Sequence, residues 1–410
     1  MKTTFGLLPL FACVSLFATP SVTITSVEQD SSFNRVKVSY SLTEDAVVTW
    51  SATTNSVAVS PQRLTRAWGD INRKIAAPGG TFYWAGAEEL DDFNDVVASL
   101  SITLTAWPTN DPPDYMVVDC AGKSNVTYYV SAEAVPHGVT NDIYKTNKMV
   151  MRKIPAKGVT WKMGSPSGET GRDATFEVRH DVTLTEDYYI GIYPVTLGQY
   201  RGLANATPAN CAFTNAENAR MRPVNMVYYY GLRGNGNGVC WAATNPSHRV
   251  SSTLLTMRNA TGIKFDFPTD AQWEYACRAG TSTAYNDGTG SMDAVGWNSS
   301  NWQNDPNCTS NETHVVGLLK PNAWGLYDMH GNIAEWVLDW HRAINSGAAE
   351  TDPAGANSAG DNYHFLRGGR WDQGETSARS ANHLGYGAFW ARNWTGFRVV
   401  APAAGYWKNE

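Results

Sequence analysis

The chain has 410 residues and a formal net charge of −6 at pH 7, and only 17 % of its residues are charged. This length predicts two domains, and a chain this long can bury a hydrophobic core without cross-links. Nucleic-acid binding is disfavoured, because phosphate contacts need clustered Lys and Arg and the sequence contains no basic run. Low charge combined with sixteen Trp and nineteen Tyr favours an extracellular protein with amphipathic binding surfaces.

The N-terminal stretch 1–18 is typical of a secretory signal peptide. Lys2 supplies a positive charge, and residues 5–17 form an apolar run that is too short to span a bilayer. Lipid anchoring at Cys13 is the alternative to plain secretion. No later segment is long and apolar enough to cross a membrane. The sequence therefore predicts a secreted, periplasmic or cell-surface protein.

Residues 19–135 show the alternation of apolar and polar residues that is typical of half-buried β-strands. The clearest run is Val36, Val38, Tyr40 and Leu42. Turn signals separate several such runs, which predicts an antiparallel β-sandwich of the immunoglobulin or fibronectin type. Residues 136–150 are polar and contain a proline, so they are predicted to link this domain to the next.

The second domain is predicted to cover residues 151–403 and to leave a tail at 404–410. A helix is expected after Thr269, which lies three residues before Gln272 in the pattern of a capping box. Gly280 is expected to end this helix, and Cys277 to be an inert buried thiol on its inner face. Cys211 and Cys240 are the best candidates for a disulfide bond.

The stretch from Asn322 to Trp340 combines glycines with closely spaced side-chain oxygens. Gly325 and Gly331 permit backbone conformations that a Cβ would forbid. The oxygens belong to Asp328, Asn332, Glu335 and Asp339. Such oxygens suit a hard cation like calcium, but spacing alone favours a bent core segment whose polar groups cap turns.

Further motifs flank this stretch, at Thr160–Pro166, Tyr189–Thr196, Phe267–Gly280, Leu366–Trp371 and Gly396–Val399. Together with the stretch itself, they resemble the formylglycine-generating-enzyme, or sulfatase-modifying factor, family over about residues 151–403. The resemblance implies a C-type-lectin-like fold with little regular secondary structure. The whole chain is thus expected to be α+β, with the β-sandwich preceding this domain.

The resemblance also implies a structural calcium ion. In the family, one calcium is held by two side chains and two backbone carbonyls. The matching positions here are Asp328, Gly331, Ile333 and Glu335.

Enzymes of this family oxidise a sulfatase cysteine with the help of a copper ion that two cysteines hold. The corresponding segment Arg367–Ser380 contains no cysteine, and none follows Cys308. Copper is therefore not expected, since the soft Cu(I) ion depends on thiolate ligands. This leans against the formylglycine reaction.

The variable stretch 380–395 lies where lectin-like relatives bind ligands. Together with the segment after Gly369 it predicts a ligand-binding site, whereas Phe389 and Phe397 are expected to fill the core. The predicted site residues are Arg370, Trp371, Asp372, His383, Tyr386, Trp390, Arg392 and Trp394. Aromatic planes with polar edges suit a glycan or a peptide. The leading hypothesis is an exported, calcium-stabilised binding protein; the alternatives are a formylglycine-generating oxidoreductase and a self-associating surface component.

Overall fold

The computed structural model divides the chain into two compact units. The first comprises Met1–Val117 and Val126–Asn141, and the second comprises Val118–Asn125 and Asp142–Glu410. The structure describes residues 20–30, 35–90, 99–123, 125–211, 213, 218–234, 252–305, 308, 312–343, 347–354 and 362–404. The predicted signal peptide and Cys240 lie outside these residues.

The first unit is built from antiparallel strands. In chain order, the strands up to residue 129 are β1 (Val22–Asp30), β2 (Arg35–Leu42), β3 (Ala46–Thr54), β4 (Val57–Ala58), β5 (Ala67–Gly69), β6 (Arg73–Ile75), β7 (Gly79–Trp84), β8 (Leu100–Pro108), β9 (Tyr115–Asp119) and β10 (Val126–Tyr129). Helix α1 (Gly86–Leu90) follows β7. One sheet has the order β1-β2-β7-β5. In the other, β3 pairs with β4 and β6, and also with β8.

The predicted alternation in β2 is confirmed, because Val36, Val38, Tyr40 and Leu42 are all buried. One hydrophobic cluster takes side chains from both sheets, among them Val38 from the first and Val48 from the second. The immunoglobulin or fibronectin type of this arrangement stays a prediction.

Within its described residues, the second unit contains short strands, four α-helices and much irregular chain. Its strands are β11 (Lys148–Ile154), β12 (Val159–Met163), β13 (His180–Leu184), β14 (Tyr188–Gly191), β15 (Gly296–Trp297), β16 (His330–Gly331), β17 (Ala334–Trp340), β18 (Glu350–Thr351), β19 (Tyr363–Arg367), β20 (Leu384–Gly387), β21 (Thr395–Phe397) and β22 (Val400–Pro402). Its helices are α2 (Leu197–Ala204), α3 (Tyr229–Arg233), α4 (Thr253–Thr261) and α5 (Asp270–Arg278). Strands far outnumber helices, in agreement with the predicted α+β class.

One four-stranded sheet of this unit, with the order β20-β19-β17-β21, positions the candidate site. Strand β19 pairs antiparallel with both β17 and β20, whereas β17 runs parallel to β21. The sheet therefore brings the Asn322–Trp340 stretch, the Arg-Gly-Gly motif and the variable stretch 380–395 next to one another.

Helix α5 begins as predicted, because the side chains of Thr269 and Gln272 form a capping box. The left-handed conformation that ends the helix starts at Ala279, one residue before Gly280. Cys277 is fully buried, and burial raises the pKa of its thiol to about 12. Within the part of the chain that the structure describes, we find no helix that could cross a membrane.

Candidate functional site

Glu335 on β17 is the central carboxylate of the second unit and is completely buried. Its Oε2 accepts hydrogen bonds from Trp273 Nε1 at 2.8 Å and from Arg398 Nε at 3.1 Å. Its Oε1 accepts a third from Arg398 Nη2 at 3.0 Å. A carboxylate offers about four acceptor positions. Glu335 can therefore form about one further contact.

The turn at residues 328–332 is held in an unusual backbone conformation. Asp328, Gly331 and Asn332 all have positive φ angles, of 55°, 73° and 61°. A Cβ on Gly331 would lie only 1.7 Å from the carbonyl oxygen of Trp297, so no other residue fits there. The glycine expected from the sequence to bend this segment is thus required by both its conformation and its close packing.

Asp328 is a buried carboxylate with few donors. Its Oδ2 accepts a hydrogen bond from the backbone N–H of Gly317 at 2.7 Å, and its Oδ1 accepts one from Asn332 Nδ2 at 3.3 Å. Burial raises the pKa of Asp328 to about 6, and the charge of Glu335 adds to the rise. The ionised form of Asp328 is therefore poorly compensated by its surroundings.

The predicted calcium residues can be compared with this geometry. Asp328 and Glu335 carry two negative charges, and Arg398 supplies one positive charge. A cation would balance the remaining charge, and hard cations bind carboxylate and carbonyl oxygens. The described residues contain no group of three or more His, Cys, Asp or Glu side chains arranged for a metal. Calcium would therefore also need the carbonyls of Gly331 and Ile333, and it stays a prediction.

A second buried network joins β19 to the first turn of α5. Arg367 Nε donates to Asp270, Nη2 donates to Glu274 Oε2 at 3.1 Å, and Nη1 donates to the carbonyl of Ser380 at 2.9 Å. His383 Nε2 lies 2.7 Å from Asp270 Oδ2. The network fixes both the Arg-Gly-Gly motif and the start of the variable stretch to the helix.

The same network separates the pKa values of two neighbouring acids. The backbone N–H of Asp270 donates to Asp339 Oδ2 at 2.7 Å. Burial, and next the charge of Asp270, raise the pKa of Asp339 well above its usual range. Burial also acts to raise the pKa of Asp270, but Arg367 and His383 outweigh it and lower that pKa. This divergence lets the two acids share a dry interior with a single guanidinium.

Beyond this interior, the variable stretch presents a row of aromatic rings, which we call the aromatic face: Tyr386, Phe389, Trp390 and Trp394. Tyr386 contacts Trp394 and Trp390, with ring centroids 4.8 and 5.2 Å apart. Trp390 is 45 % exposed and Phe389 is 61 % exposed. Because such rings are costly to leave in water, an exposed group of them indicates a binding surface.

Glycine and a neighbouring strand set the position of the rings. A Cβ on Gly387 would lie 2.9 Å from Trp390 Cδ2, so the indole rests directly on the backbone of β20. Trp390 also contacts Tyr363 on β19, with centroids 5.7 Å apart. The aromatic face is therefore carried by the sheet, although most of its rings lie in the turn that follows β20.

Three of the predicted ligand-binding residues surround the face. Arg370 Cζ lies 4.0 Å from the ring centroid of Trp394, and Arg370 Nε lies 2.8 Å from Asp372 Oδ1. Arg392 is exposed. These three residues provide charged edges next to the aromatic rings.

Two others are enclosed. The side chain of His383 is only 2 % exposed and is held by Asp270. Trp371 is buried and packs against Trp302 at 6.0 Å. The structure therefore places both side chains beneath the surface.

The expectation for the two phenylalanines was half right. Phe397 is completely buried as predicted, but Phe389 is exposed, so its placement in the core was wrong. The buried position in this turn is taken by Ala388, whose N–H donates to Asn362. Phe389 instead lies on Tyr230, with centroids 4.5 Å apart. Sequence reasoning missed Tyr230, although three consecutive tyrosines at 228–230 could have drawn attention to it.

Residues 141–403 match the sulfatase-modifying factor enzyme 1-like domain. The chain belongs to this family. The resemblance found in the motifs is thereby confirmed. The solved structure of PvdO from Pseudomonas aeruginosa is similar to this family member, with a TM-score of 0.50 and 25 % identity over 62 % of this chain and 94 % of that one. The C-type-lectin-like fold expected for the second domain is supported.

Two curated relatives illustrate the breadth of the family. This chain is 30 % identical over 192 residues to the chaperone protein LppX of Paenibacillus barcinonensis, covering 39 % of this chain and 65 % of that protein. It is 33 % identical over 101 residues to the bovine formylglycine-generating enzyme, covering 23 % of this chain and 27 % of the enzyme. The chain spans less than two thirds of either relative, so their activities are not assigned to it.

Proposed function

We propose that this member of the sulfatase-modifying factor family is an exported binding protein that recognises a glycan through its aromatic face. The observation that carries the proposal is the set of rings in which the half-buried Tyr386 contacts both the exposed Trp390 and the half-buried Trp394. Sugar rings have apolar faces that stack on such planes, and their hydroxyls bind to polar groups at the edges. Phe389 extends the same surface and packs on the buried ring of Tyr230.

The backbone around these rings is preorganised. The N–H of Arg392 donates to Thr395 Oγ1 at 3.0 Å, and its carbonyl accepts from the N–H of Met226 at 2.8 Å. Thr395 Oγ1 also donates to the carbonyl of Val227 at 2.8 Å. Little conformational entropy is lost when such a surface binds a ligand. A flexible peptide, which itself loses conformational entropy on binding, is the alternative ligand.

Formylglycine generation is the second candidate, because the chain belongs to the family that includes this oxidase. The segment Arg367–Ser380 supplies no thiol to hold copper. Cys277 is enclosed, and the raised pKa of its thiol disfavours the thiolate that Cu(I) needs. We therefore rank this reaction below binding. Aldehyde formation on a cysteine-containing sulfatase peptide, with tight Cu(I) binding, would reverse the order.

Two further parts of the proposal are a structural calcium ion and export. The uncompensated charge of Asp328 beside Glu335 supports a cation at residues 328–335. The apolar stretch at residues 5–17 supports export. The likeness to a protein named as a chaperone fits a role that depends on binding.

A glycan and peptide array probed with the full chain and with Trp390→Ala tests the proposal. Trp68→Ala in the first unit is a matched control, because Trp68 is also 45 % exposed. We expect signals on glycans that Trp390→Ala removes and Trp68→Ala keeps. Equal loss in both variants would indicate nonspecific adhesion of exposed indoles, and binding confined to peptides would replace the glycan by the alternative ligand.

A further inference from the structure

Positive charges outnumber negative charges at the edge of the aromatic face. Arg370 and Arg392 contribute two guanidinium groups, and Asp372 contributes one carboxylate, which is already paired with Arg370. The side chain of Arg392 donates only to the carbonyl of its neighbour Ala391, at 2.9 Å. Within the described part of the chain, no carboxylate pairs with Arg392. One positive charge is thus left at the edge of the face.

Both arginines flank the rings of the face, because Arg370 Cζ lies 4.0 Å from the ring centroid of Trp394 and Arg392 lies in the loop between Trp390 and Trp394. Burial raises the pKa of the Tyr386 phenol, while Arg392 and Arg370 act in the opposite direction. Tyr386 is the ring that contacts both Trp390 and Trp394. A ligand stacked on these rings would therefore lie within reach of the positive charge.

The conformation of Arg392 suits a recognition role. Its backbone is fixed on both sides by hydrogen bonds to Thr395 and Met226, while its side chain remains exposed. A guanidinium presents a planar fork of donors that matches a carboxylate in a bidentate pair. A neutral sugar would leave this fork bonded only to water and to Ala391.

Resting on the proposed glycan-binding role of the aromatic face, we propose that its ligand is an acidic glycan whose carboxylated sugar pairs with Arg392. The sugar ring stacks on Trp390 and Tyr386, and its carboxylate forms the charge-assisted hydrogen bonds. Arg370 is held by Asp372 and by its contact with Trp394. It therefore shapes the edge of the face, whereas Arg392 binds the carboxylate of the ligand.

Titration calorimetry with three probes tests this specificity: an oligogalacturonate, the same oligosaccharide with its carboxyl groups reduced, and a sulfated neutral oligosaccharide. We expect the oligogalacturonate to bind at least about tenfold more tightly than the reduced form, since hydrogen bonds to charged groups are the stronger ones. Raising the salt concentration should weaken binding of the acid only, because salt screens exposed charges.

The variants Arg392→Gln and Arg392→Lys test whether Arg392 is the residue that binds the carboxylate of the glycan. We expect Arg392→Gln to bind the acid and the reduced form equally, and Arg392→Lys to keep part of the preference, because lysine retains the charge but loses the fork. Thermal unfolding should be the same for both variants and the parent, since the side chain is exposed and the bonds of its backbone remain.

The outcomes separate this inference from the proposed function. Equal binding of the acidic and reduced sugars, with loss in Trp390→Ala, would overturn the acidic ligand and keep the glycan-binding face. Tighter binding of the sulfated probe would replace the carboxylate by a sulfate ester and overturn the inference as stated. Failure of every saccharide to bind would overturn both proposals.

Discussion

The ion pair between Glu335 and Arg398 allows a prediction whose size can be worked out from the structure. In Glu335→Gln the amide oxygen can still accept from Trp273 Nε1. The amide NH₂ group would then face the guanidinium of Arg398, which bonds to Glu335 through two nitrogens at 3.0 and 3.1 Å. Breaking a buried ion pair on one side typically costs about 3–5 kcal/mol, because the other charge is left unpaired. For a domain of this size we expect the melting temperature to fall by about 10 °C.

Glu177→Gln is the matched control. Glu177 is also completely buried and pairs with a single guanidinium, that of Arg379, but it is not among the predicted calcium ligands. In chelator, Glu177→Gln should lose less stability than Glu335→Gln, because Arg379 keeps its ion pair with Glu169 at 2.6 Å; thermal unfolding measures both losses. If the proposed calcium is bound, the parent and Glu177→Gln should melt at lower temperature when chelator is added, and Glu335→Gln should change little. A loss below about 1 kcal/mol in Glu335→Gln would refute the ion-pair reasoning, and an undiminished chelator effect in that variant would remove Glu335 from the calcium site.

Two further predictions concern Asp328 and Gly387. In chelator, the pKa of Asp328 is about 6 in the folded protein, above its ordinary value of about 4. The protonated form therefore adds stability that is fully present below the ordinary pKa and is lost as the pH rises through the folded pKa. The full effect on the free energy of unfolding is about 3 kcal/mol. Asp328→Asn should lack this part of the pH dependence, and identical slopes of unfolding free energy against pH from 4 to 7 would contradict the assignment. Gly387→Ala should displace Trp390 from β20 and weaken glycan binding more than it lowers stability; unchanged affinity would show that the position of this indole is immaterial.

The parts of the fold that depend on local pattern could be predicted from the sequence. The alternation in β2 and the capping box at Thr269 depend on neighbouring residues, and both are present. The charge pairings could not be predicted in this way. Glu335 and Arg398 lie 63 residues apart and meet only because β17 and β21 are neighbours in one sheet. The resemblance pointed to Glu335 as a calcium ligand, but nothing in its spacing indicated the guanidinium that already holds it.

The aromatic face is a second feature that could be predicted from the sequence only in part. The composition of the stretch 380–395 predicted a surface rich in rings, but it could not say which residues turn inward. The turn after β20 places the small Ala388 in the interior and Phe389 outside, against the ordinary preference of a large ring for the core. His383 shows the reverse, since a polar ring enters the interior to meet the carboxylate of Asp270. Both outcomes depend on tertiary partners that composition does not reveal.

The arrangement separates the residues that stabilise the second unit from those of the proposed binding surface. Arg367, at the end of β19, and Arg398, directly after β21, are completely buried. Each donates hydrogen bonds to carboxylates and backbone carbonyls of distant segments. These networks fix long irregular segments that have few ladder hydrogen bonds of their own. The aromatic face contributes little to them, because its exposed rings at Phe389 and Trp390 pack only against neighbouring side chains and the backbone of β20. Substitutions at the surface should therefore change the ligand without unfolding the domain, whereas substitutions in the networks should unfold it without changing specificity.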